Sequence, residues 1–169
     1  MSIDHLKDQL QAIADLIEQA SGASFRPTGH LASALRHATN ADTPAFASMS
    51  LETGEGSAGR DGTVVLFTEQ FVAVADVTNA PDARGWSSEQ GPVTISVTRR
   101  SELRSLALEV EAPGDMRQAS LAFYEEFPWR STIVATYEGL PTPVRILNGQ
   151  TRLDVGAFYS ELVQDLASK

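Results

Sequence analysis

Residues 62–77, GTVVLFTEQFVAVADV, constrain the fold more than any other part of this chain. Two apolar segments flank Thr68-Glu69-Gln70, which predicts a β-hairpin. Successive side chains of a strand point to opposite faces. Val64 and Leu66 therefore share one face, and Val65 and Phe67 the other. Past the turn, Phe71, Ala73, Ala75 and Val77 share a face, with Val72 and Val74 opposite. A strand with one wet face alternates apolar and polar residues. This hairpin is apolar on both faces as far as Asp76, so both must be covered. One face calls for a sheet or barrel core, and the other for a helix.

The helix that fits is residues 3–20. Ile3, Leu6, Leu10, Ile13 and Ile17 recur at spacings of 3, 4, 3 and 4, a single apolar stripe. Lys7, Asp8, Gln11, Asp15 and Glu18 form the wet face. Ser2 is the expected N-cap, Asp4 sits in the favoured acidic first turn, and Gly22 is the expected stop. The stripe could instead join two copies, but two heptads do not sustain a coiled coil alone. After Pro27 and Gly29, LASALRHA predicts a second short helix with Leu31, Ala34, Leu35 and Ala38 inward. Residues 45–52 alternate as a first strand, and a glycine-rich loop leads into the hairpin.

Beyond it, residues 79–91 read as loop. Val93, Ile95 and Val97 form one half-buried strand, and Leu106, Leu108 and Val110 another. Residues 116–127 fit a helix or a strand, and a strand over 119–125 is preferred. Ile133, Ala135 and Tyr137 open a further strand, and residues 144–147 pair back onto it. A closing helix is expected over 152–167. Thr151 and Asp154 are placed as a capping box, Val155, Phe158, Leu162 and Leu166 face inward, and Tyr159 and Val163 lie beside them. The expected fold is α+β: N-terminal helices, a strongly bent antiparallel sheet or partly open barrel of about seven strands, and a C-terminal helix. At 169 residues it reads as a single domain, with a helical region over 1–44, a sheet over 45–150 and a helix over 151–169.

Composition excludes several chemistries. Without cysteine there are no disulfides, thiolate metal sites or cysteine nucleophiles. The formal charge of −9 divides as −3 over 1–60, −4 over 61–112 and −2 over 113–169, so no basic face recruits nucleic acid. No apolar run approaches the ~20 residues of a membrane span. The start lacks the basic and apolar regions of a secretory signal, which points to the cytoplasm. Arginine almost displaces lysine, the mark of GC-rich bacterial coding.

Motif matches fail on context. Gly54, Gly56 and Gly59 spell G-x-G-x-x-G, but a β-rich run follows where a helix should open. His30 and His37 stand two helical turns apart, about 10 Å, too far for one metal. Glu109 and Glu111 share one strand face, which reads as solvated, and Ser57 lacks a nucleophile elbow. No catalytic residue, cofactor site or metal site is assigned. Four residues stand out as possible partner or ligand contacts: Trp86 in a polar loop, and the basic group Arg99, Arg100 and Arg104, set against local pairing with Glu102.

The hairpin VVLFTEQFVAVADV, the later hairpin STIVATYEGLPTPVRIL and the closing helix LDVGAFYSELVQDL together resemble bacterial pleckstrin-homology-like domains over residues 62–166. The resemblance implies a seven-stranded barrel plugged at one end by its last helix, serving as a binding or assembly scaffold. Lipid-binding members carry basic residues in the first hairpin. This chain has Glu69 there, so phosphoinositide binding does not carry over. The leading expectation is a non-enzymatic module that binds protein or self-associates. Two alternatives stay open: a secretion-chaperone-like regulator, which needs 116–127 to be a helix, and a small-molecule binder or enzyme using inward Asp76, Tyr124 or Tyr137.

Overall fold

The computed structural model describes residues 3–53, 59–84, 90–111, 130–149 and 151–168. Helices α1 (Ile3–Ala20) and α2 (Gly29–Ala38) lead into strands β1 (Pro44–Thr53), β2 (Arg60–Thr68), β3 (Phe71–Ala80) and β4 (Val93–Arg99). A 3₁₀ turn (Arg100–Glu102) passes to β5 (Leu103–Val110), β6 (Ser131–Tyr137) and β7 (Val144–Asn148), and helix α3 (Val155–Ala167) follows. The α+β reading holds. The strands divide into two antiparallel meanders, β1-β2-β3-β4 and β5-β6-β7, and are not closed into a barrel.

The two apolar faces of the β2–β3 hairpin receive two different coverings. On one, Val64, Leu66, Ala73, Ala75 and Val77 pack with Ile13 and Ile17 of α1 and with Leu31 and Leu35 of α2. On the other, Val65, Phe67 and Val72 meet Ile133, Ala135 and Ile146 of the second sheet and Phe158 of α3. The layers are therefore helices, four-stranded sheet, then three-stranded sheet with α3. Phe67, which pairs with Val72 across the turn, is fully buried, whereas Phe71 is only half-buried.

Several details depart from the sequence reading. The stripe of α1 is buried only in its second half: Ile13 is 2% exposed, but Ile3 is 71% and Leu6 36%. Helix α2 presents Leu31, Ala32, Leu35 and Arg36 inward in place of Ala34 and Ala38. Arg36 can face inward because its Nε donates to Gln9 of α1 at 2.6 Å. Helix α3 begins at Val155, later than expected: Asp154 is its N-cap, accepting from the Ala157 amide at 2.9 Å. Thr151 instead accepts from the Leu153 amide in a local turn, and Val163 lies exposed. Strand β2 starts at Arg60, two residues early, through a bulge at Gly62 with φ of 142°. A β-carbon there would fall 2.0 Å from the Ser50 carbonyl oxygen, so only glycine fits. Gly22 ends α1 as expected, with φ of 62°. Ser2, Gly54, Gly56, Trp86 and residues 116–127 lie outside the described residues, as does the helix-or-strand choice at 116–127.

Candidate functional site

The tripeptide Arg99-Arg100-Ser101 lies where the chain leaves one sheet for the other, so alternation sends its two arginines to different places. Arg100 turns inward and is 8% exposed. It bonds Asp165 of α3 at 2.8 Å through Nε, reaches Glu161 at 3.5 Å, and donates to the Thr68 carbonyl at 3.3 Å. Its guanidinium also stands 5.6 Å from the centroid of the Phe158 ring. Every direction it can serve is taken by the body of the protein, so Arg100 clamps α3 to the sheet junction. Arg104 projects outward and pairs with Glu138 and, at 3.9 Å, with Glu102, the acid its sequence neighbourhood suggested. Arg99 is exposed beside Gln70, Ser101 and Asp165 in a shallow recess. The basic group is thus three separate side chains with different roles. Trp86 is outside the described residues.

The inward polar candidates do not converge either. Asp76 is exposed and accepts from the Thr63 hydroxyl at 3.3 Å. Tyr137 is 3% exposed in the inter-sheet core, and its hydroxyl has no hydrogen-bond partner among the described residues. Burial drives its ionisation well above the ordinary tyrosine value, opposed by the charge of Arg100 and reinforced by that of Asp165. A phenol held this firmly neutral is a core group. Tyr124 lies outside the described residues. All three histidines are exposed, and among the described residues no three acidic or histidine side chains converge as a metal site would need.

The feature that sequence reasoning missed is a cleft of about 700 Å³ between β1 and β7. These are edge strands of the two sheets. The Ser48 hydroxyl of β1 donates to the Arg145 carbonyl of β7 at 3.5 Å. Seven consecutive residues of β1, 46–52, line the cleft, as do residues 146–149. The end of α1, with Ser21 and Ser24, borders one side, and Ser131 and Thr132 of β6 the other. The Arg152 amide donates to the Gln19 carbonyl at 2.9 Å, which ties the segment after β7 to the end of α1. At the mouth stand Glu52 and Glu111 beside Arg60 and Arg130, two charges of each sign. No local signal could have located this cleft, because it is defined by which strands end each sheet. The run Ser48, Ser50, Glu52 on an otherwise apolar strand is the trace it leaves in the sequence.

No family model matches this chain, and neither do curated proteins or solved structures.

Proposed function

We propose that this chain is a cytoplasmic protein-interaction or assembly module on a pleckstrin-homology-like scaffold. The observation that carries the reading is the cleft between two strand edges. Among the described residues no strand pairs with the outer side of β1 or of β7. Strand edges offer backbone donors and acceptors that another chain can complete. The scaffold reading is supported by the order of elements: a four-stranded meander, a three-stranded meander, then a helix packed across one end of the inter-sheet core. The cysteine-free sequence supports the location.

Light scattering on the native protein tests the reading. A particle heavier than the 18.2 kDa chain, holding it in fixed stoichiometry, is the expected result. A thermal-shift screen is the opposing test. Stabilisation by several degrees from one class of metabolite would make this a small-molecule protein and overturn the proposal.

A further inference from the structure

We draw no further inference here: the strongest candidate, the exposed apolar stripe of Ile3 and Leu6 on the first turns of α1, carries nothing because nothing in the structure shows what covers it.

Discussion

At one end of the sandwich α3 lays Phe158 flat on Phe46, 4.0 Å between ring centroids, with Phe67 edge-on at 4.8 Å. At the other end the same strand β1 carries Ser48, Ser50 and Glu52, and the second sheet supplies Ser131 and Asn148. One strand thus serves both ends. Its first residues belong to a dry aromatic core, and its last to a polar cleft. Burial of aromatic surface stabilises the first end strongly. At the second end Ser50 and Glu52 are exposed, while Ser48 and Ser131 are buried. The difference predicts that stability and binding separate along β1.

The largest effect should come at the plugged end. Phe67→Ala or Phe158→Ala should cost about 3–5 kcal/mol in chemical denaturation, because each empties a fully enclosed aromatic site. A neutral result would mean that α3 is not part of the core. Arg100→Met should cost about 2–3 kcal/mol, toward the low end for a broken buried pair, since Asp165 keeps access to water. Asp154→Ala should lose about 1 kcal/mol, the worth of an N-cap.

The same end should carry an acid-sensitive contact. Burial tends to raise the pKa of Asp42, but donation from the Thr68 hydroxyl and from the amides of Gln70 and Thr43 outweighs it and holds the carboxylate below its ordinary value. A depressed folded pKa adds stability that is present above the unfolded value and lost as pH falls through the folded one. Asp42→Asn should therefore flatten the loss of stability below about pH 4 in acid titrations. At the open end, Ser50→Thr should change stability by no more than about 0.5 kcal/mol. If it cost as much as Phe67→Ala, the contrast between the ends would collapse.

Much of the fold was legible in local pattern. The hairpin's two apolar faces demanded two coverings, and the Ile13–Ile17 stripe supplied one of them, because burial follows from side-chain periodicity. What periodicity could not convey was which part of the α1 stripe is buried. Ile3 repeats the spacing of Ile13 and is nonetheless exposed. Arg99, Arg100 and Arg104 looked like one basic group because they are close in sequence. The passage from one sheet to the other separates them and turns Arg100 into a clamp for α3.

Among the described residues, the sequence by itself determined the elements, their order, and the two-sided burial of β2 and β3. Each follows from neighbours a few residues apart. Tertiary structure alone decided that the seven strands among the described residues split four and three, that β1 and β7 became edges lining one cleft, and that Ser48 meets Arg145 across it. That decision depends on contacts between residues nearly a hundred positions apart, and no local preference encodes them. The candidate binding site is a property of that distant meeting.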